Sequence, residues 1–224
     1  DPGTTWNERA RKREPQKMPP RMAWRAIQTS LPKDAIISSD IGNNCAIGNA
    51  YPTFEEGRKY LAPGLFGPCG YGLPSIVGAK IGKPDMPVIG FAGDGAFGIS
   101  MNEMTSIGRG EWPPITMIIF RNYQWGAEKR NTTLWFDDNF VGTELSDNVS
   151  YAGIASACGL IGIEVHTMKD LTEQLSKAIN KQMEENKTTF IEVMLNQELG
   201  EPFRRDAMKK PVEVAGVSNI DMKN

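Results

Sequence analysis

The run Ile115-Thr-Met-Ile-Ile-Phe120 limits the fold of this chain more than any other segment. A strand with almost no polar face is stable where both faces of its sheet are covered, the position of a central strand in a parallel sheet. The surrounding segments agree. Residues 22–31 read as a helix and 35–39 as a short buried strand. Residues 71–81 form a helix in which Gly78 is expected to permit close packing, and 87–92 form a strand. A helix near 100–109 precedes the central strand, and Ser150 is placed to cap a helix that stops near Gly159. A strand over 162–167 follows, then a helix capped by Asp170 with Leu171, Leu175, Ala178, Ile179 and Met183 on one face, then a strand over 189–195. Strand–helix alternation of this kind predicts an α/β domain with a doubly wound, mainly parallel sheet and helices on both faces. Ligands of such sheets bind at the carboxyl ends of strands, so the loops after Ser39, Ala92 and Phe120 are where a site is expected.

At 224 residues the chain has room for one sizeable domain with tails. We assign 1–25 to a linker, 26–198 to the domain and 199–224 to a C-terminal tail. Prolines 15, 19 and 20 punctuate the basic first stretch, which holds Arg9, Arg11, Lys12, Arg13, Lys17, Arg21 and Arg25. A solvated charged face accounts for these residues, as would an arm for an anionic partner. The net charge of −2 gives no general attraction to nucleic acid, and no run of 18 apolar residues offers a membrane span. Cys45, Cys69 and Cys158 are odd in number and lack CxxC spacing, which points to a reducing cytoplasm. The single histidine, His166, reads as structural.

Gly93-Asp-Gly-Ala-Phe-Gly98 spells the G-x-G-x-x-G of dinucleotide sites. Two features oppose that reading. The next strand ends Phe120-Arg-Asn122, with no acidic residue for a ribose. Asp94 also stands inside the loop, where a bare carboxylate repels a diphosphate. A divalent cation turns this repulsion into attraction, and Mg2+ is commonly shared between one or two protein oxygens and phosphates. Asn122, at the end of the adjacent parallel strand, is the second expected ligand. A helix-cap role for Asp94 and a turn role for Asn122 explain each residue separately but not their joint placement.

Gly93-Asp-Gly95 and Asn122, with a strand–helix–strand unit between them, resemble the signature of thiamine-diphosphate-dependent enzymes. The resemblance implies that Asp94 and Asn122 give side-chain oxygens, and Gln124 its backbone carbonyl, to Mg2+. It also implies cofactor contacts by Gly42, Asn43 and Asn44, by Gly93, Gly95 and Ala96, and by Trp125 and Gly126. Gly67-Pro-Cys-Gly-Tyr-Gly-Leu-Pro74 is similar to the stretch lying against the aminopyrimidine. Gly67 would accept from the 4′-amino group there, and residue 69 would support the bent cofactor. Many relatives carry Met at that position where this chain has Cys69, and a plain packing role for the cysteine fits as well.

Asn122-Tyr-Gln-Trp-Gly-Ala-Glu-Lys-Arg130, Phe140-Val-Gly-Thr143 and the tail from Gln197 to Pro211 resemble the sulfoacetaldehyde acetyltransferase branch, over nearly the whole chain. The resemblance implies conversion of sulfoacetaldehyde and phosphate to acetyl phosphate and sulfite. Both substrates are anions, so cations are expected at the site. Lys129, Arg130, Arg204 and Arg205 are the candidates, with exposed surface charge as the alternative. In this family a glutamate from a separate pyrimidine-binding domain activates the cofactor, often across a subunit interface. Glu55, Glu56 and Glu103 do not match it, which implies a partner domain or chain and a homo-oligomer. Rival readings are an acetolactate synthase, a sulfopyruvate decarboxylase half, a non-catalytic cofactor-binding subunit and, against the Asp94 argument, a nucleotide-binding oxidoreductase.

Overall fold

A computed structural model describes residues 2–54 and 59–200. Its strands are β1 (Ile36–Ser39), β2 (Tyr60–Leu61), β3 (Val88–Gly93), β4 (Thr116–Arg121), β5 (Ile161–Val165) and β6 (Thr189–Met194). They form one sheet in the order β2-β1-β3-β4-β6-β5, and every pairing is parallel. The apolar run is β4, flanked by β3 and β6 and buried at every residue. Its alternate side chains face opposite layers. Ile118 and Phe120 join Trp24, Ile27, Leu171 and Leu175, from α2 (Pro20–Ser30) and α9 (Met168–Glu184). Met117 and Ile119 join Leu73, Ile76, Met104 and Ala155, from α4 (Gly72–Gly82), α6 (Glu103–Gly108) and α8 (Tyr151–Ala157). Helix cover on both faces is the architecture expected of an all-apolar central strand. Among the described residues no helix is long and apolar enough to cross a membrane.

Several local expectations change. The stretch read as a linker holds α1 (Pro2–Arg13), because its prolines flank helices rather than interrupt them and Pro20 occupies the first turn of α2. Trp6 and Ala10 of α1 are buried against the domain. Three further helices, α3 (Asn43–Gly48), α5 (Asp94–Ser100) and α7 (Gly126–Trp135), start at the expected ligand loops. Ser150 caps α8 by accepting from Gly153 N–H at 2.9 Å, as expected. Thr167, not Asp170, caps α9; its hydroxyl accepts from Asp170 N–H at 3.1 Å and donates to the Asp170 carboxylate at 2.8 Å. A side chain on Gly78 would meet nothing within 4 Å, so that glycine is not a close-packing point. Close approach occurs at Gly48, where a Cβ would fall 2.1 Å from the Trp24 ring. His166 lies just beyond β5, exposed, 2.7 Å from Glu164.

Trp24 ties the core to the first ligand loop. Its ring centroid lies 4.7 Å from Phe91 and 5.2 Å from Phe120, and its indole N–H donates to the Asn44 carbonyl at 2.8 Å. Trp24→Ala should cost about 3–5 kcal/mol. Urea unfolding should show this as a lower midpoint at an unchanged slope.

Candidate functional site

The register of the parallel strands sets three loops beside one another. Ser39 of β1 pairs with Phe91 of β3, and Gly93 of β3 pairs with Phe120 of β4. Residues 40–44, 93–96 and 122–126 therefore leave the sheet at one edge. They line a single cavity together with Gly67 and Cys69 from the loop before α4. Every position expected to contact the cofactor lines it: Gly42, Asn43, Asn44, Gly67, Cys69, Gly93, Asp94, Gly95, Ala96, Asn122, Gln124, Trp125 and Gly126. Ile41, Ala127 and Glu128 line it as well and were not singled out in the sequence. Their only signal was adjacency to the motif residues.

Asp94 is the first residue of α5 and is 1% exposed. One carboxylate oxygen accepts from Gly95 N–H at 3.0 Å. The other accepts from Tyr123 N–H at 2.6 Å, Asn122 N–H at 3.1 Å and the Arg121 guanidinium at 3.1 Å. Burial pushes the carboxyl up to about 6, and these donors hold it below what burial alone would give. At neutral pH the group is therefore mainly a carboxylate. Arg121 is equally buried and lies 3.4 Å from Glu192, so the site contains a compensated charge cluster rather than a lone anion.

Asn122 is buried, and neither atom of its amide head has a hydrogen-bond partner. A buried amide without partners is costly, and orphans of this kind call for an explanation. Gln124 packs against the 143–145 segment through Trp125 N–H to Thr143 O at 2.8 Å and Leu145 N–H to Tyr123 O at 2.9 Å. Bonds at the two flanking residues turn the Gln124 carbonyl away from that segment. Two glycines keep the walls close: a Cβ at Gly95 would fall 2.8 Å from the Trp125 ring, and one at Gly126 2.8 Å from Asn43. An ionised Asp94, an unpartnered Asn122 oxygen and a carbonyl that makes no bond to the facing segment make an all-oxygen donor set, which suits a hard divalent cation. The residues present thus fit a metal-bridged diphosphate.

Asp40, which does not line the cavity itself, holds one of its walls in place. Its carboxylate accepts from Ile41 N–H at 2.8 Å, Gly70 N–H at 3.1 Å and Gly72 N–H at 2.7 Å. It thereby fastens the Gly67–Gly72 loop, and with it Cys69, to the end of β1. Asn43 is tied to the C-terminal segment: its side chain donates to Glu198 O at 3.1 Å and accepts from Gly200 N–H at 2.6 Å.

Lys129 is not placed as expected for a substrate contact. It does not line the cavity; its ammonium pairs with Glu144 and lies 4.6 Å from the Trp6 ring centroid and 4.9 Å from that of Phe140. Burial lowers its pKa against the pull of Glu144. An anion would have to displace Glu144 to reach it. Arg204 and Arg205 lie outside the described residues.

Comparison with known proteins shows the family to which this fold belongs. The family described as "Thiamine pyrophosphate enzyme, C-terminal TPP binding domain" matches residues 40–193. Over 223 residues the chain is 74% identical to the sulfoacetaldehyde acetyltransferase of Roseovarius nubinhibens and 71% identical to that of Rhodobacter capsulatus. It spans 37% and 38% of the lengths of those relatives while aligning over all of itself. A solved structure, the thiamine diphosphate-dependent 4-hydroxybenzoylformate decarboxylase of Rhodococcus jostii RHA1, shares the fold with a TM-score of 0.71 at 24% identity, covering 81% of this chain and 33% of that one. The chain belongs to the thiamine pyrophosphate enzymes and carries their C-terminal TPP binding domain.

Proposed function

We propose that this chain supplies the magnesium and diphosphate half of the active site of a thiamine-diphosphate-dependent acetyltransferase, which converts sulfoacetaldehyde and phosphate to acetyl phosphate and sulfite. The observation that supports the metal role is the unpartnered Asn122 amide beside the buried Asp94 carboxylate, at the carboxyl ends of two paired parallel strands. The substrate class rests on the relatives that are 71–74% identical.

Asp94, Asn122 and the Gln124 carbonyl would hold Mg2+, and Gly42, Asn43 and Asn44 would lie along the diphosphate. When bound, the cofactor supplies the electron sink for the carbon chemistry. This chain's part is orientation and fixed charge. Gly67 would accept from the aminopyrimidine, and Cys69, lining the same cavity, would support the ring system. Burial, with Asp40 and Glu128 nearby, raises the Cys69 thiol, so it presents a neutral sulfur to the cofactor.

A pyrimidine-binding domain is the proposed partner for the open side. Leu65 and Phe66, on the loop that leads to Gly67, are fully exposed, and Ile99 beside Gly70 is 56% exposed. Apolar side chains clustered beside a cavity mark an interaction surface, and a homo-oligomer would provide one. The cysteines are free, in keeping with a reducing cytoplasm.

Asp94→Asn, which keeps shape and removes charge, should weaken Mg2+-dependent thiamine diphosphate binding in the intact enzyme. Charge-assisted contacts of about 1.5–3 kcal/mol each imply a loss of at least about ten- to a hundred-fold. Calorimetry with and without chelator reads this directly, and unchanged affinity would rule out the metal role.

The substrate anions are assigned to Arg204 or Arg205, whose guanidinium fork matches sulfonate or phosphate oxygens in bidentate fashion. Arg204→Ala or Arg205→Ala should lower kcat/KM for one of the two anions about ten- to a hundred-fold. Sulfite release with sulfoacetaldehyde and phosphate varied separately tells which. Lys129→Met, by contrast, should lower the melting temperature and leave both KM values near the parent's. A selective change in one KM would return Lys129 to the substrate site.

A further inference from the structure

Between the two side-chain and backbone donors of the metal loop stands the least expected backbone conformation in the described chain. Tyr123 has φ 60°, in the left-handed region that a side chain with a Cβ disfavours. The other described non-glycine residues with positive φ are Asp137, Asp138 and Asn186, types that tolerate it. Tyr123 has no such local tolerance, so its neighbours must hold it there.

Those neighbours form a clamp. Arg121 Cζ lies 4.1 Å from the Tyr123 ring centroid and Lys17 Nζ lies 4.4 Å from it. Arg121 is itself fixed by Asp94, Glu192 and the carbonyls of Ser146 and Val149, so its guanidinium is a stationary surface for the ring. Lys17 is held by Glu14 at 2.7 Å. The Tyr123 backbone is pinned at both ends, by its N–H to Asp94 at 2.6 Å and by Leu145 N–H to its carbonyl at 2.9 Å. The left-handed turn lets Asn122 and Gln124, on either side, face the same cavity.

We propose that Tyr123 is a positioning residue for the metal loop: its ring, gripped by Arg121 and Lys17, fixes the turn that presents Asn122 and Gln124 together. Lys17 thereby makes the N-terminal segment part of the metal site's support. The inference rests on the reading of Asp94 and Asn122 as magnesium ligands. Its signature is selectivity. Mg2+ demands near-octahedral oxygens at about 2.0–2.1 Å, whereas Ca2+ accepts longer and less regular ligation. A loosened turn should therefore harm Mg2+ more than Ca2+.

The test is calorimetric titration of Mg2+ and of Ca2+ into the intact enzyme with thiamine diphosphate, alongside thermal melting. Y123L keeps bulk and removes the π face; it should weaken Mg2+ binding about three- to thirty-fold, the range that loss of cation–π contacts implies, and Ca2+ binding by less. Y123F keeps the face and should retain the parental Mg2+/Ca2+ ratio. Lys17→Met should shift the ratio in the same direction by a smaller factor, and its half-buried position keeps the test available if Y123L folds poorly. Equal weakening of both ions, or a parental ratio in Y123L and Lys17→Met, overturns the proposal. Failure of the underlying reading shows separately, as an Asp94→Asn enzyme with an unchanged Mg2+ titration.

Discussion

The buried carboxylate of Asp94 is the interaction on which the site depends. It stands where β3 becomes α5, and it gathers the N–H groups of Gly95, Asn122 and Tyr123 and the guanidinium of Arg121. Without those donors an ion in a place this dry would neutralise. With them, it joins the end of β3 to the loop after β4 and fixes the distance between the two expected metal ligands. The same carboxylate thus builds the loop and carries its charge: three donors crowd one oxygen, while the other accepts only from Gly95 N–H. Asp40 does similar work at the end of β1, where it gathers Ile41, Gly70 and Gly72. Two carboxylates at neighbouring strand ends therefore shape most of the cavity's backbone.

How much of this was legible follows from sequence distance. β4 could be read because its lack of a polar face is a local property that admits few environments. The pairing of Asp94 with Asn122 could be read because each ends a strand, and adjacent parallel strands bring their ends together. Short helices were harder. α3 and α5 have six and seven residues, too few to show a hydrophobic period, and begin inside the loops that carry the ligands. The α9 cap was misplaced by one turn position because Thr167 and Asp170 both satisfy the composition rule; only the observed bond from Asp170 N–H separates them.

The helix α1 was illegible for another reason. Its partners lie about 190 positions away: Trp6 donates to Gln197 O at 3.0 Å, and Asn7 exchanges hydrogen bonds with Leu199. Arg11 forms a forked pair with Glu198 at 2.9 and 2.8 Å. No local pattern announces contacts of that range, and a charged, proline-bounded stretch reads as solvent-exposed when taken alone. The charges in fact divide by role. Arg11 and Lys17 have assigned partners inside the fold, while Lys12 lies on the exposed side.

Lys129 shows why residue type and position do not together assign a role. An ammonium five residues past Gln124, beside Arg130, invites an anion. Whether it can accept one depends on what already compensates its charge. Here Glu144 does so, with the faces of Trp6 and Phe140 completing the enclosure. Lys129 is buried while the Glu144 side chain is 58% exposed. Removing the glutamate would leave an uncompensated ammonium in a dry place, so such a lysine is a poor reservoir of free positive charge. It is instead a fastening. Glu144 also accepts from Gln197 Nε2 at 3.3 Å, and the Gln197 carbonyl accepts from Gln124 Nε2 at 3.2 Å. The buried lysine thus connects Trp6 of α1, the C-terminal segment at Gln197 and Gln124 of the 122–126 loop in one network. The charge expected at a substrate is here linked, through Glu144 and Gln197, to the side chain of Gln124 on the loop after β4.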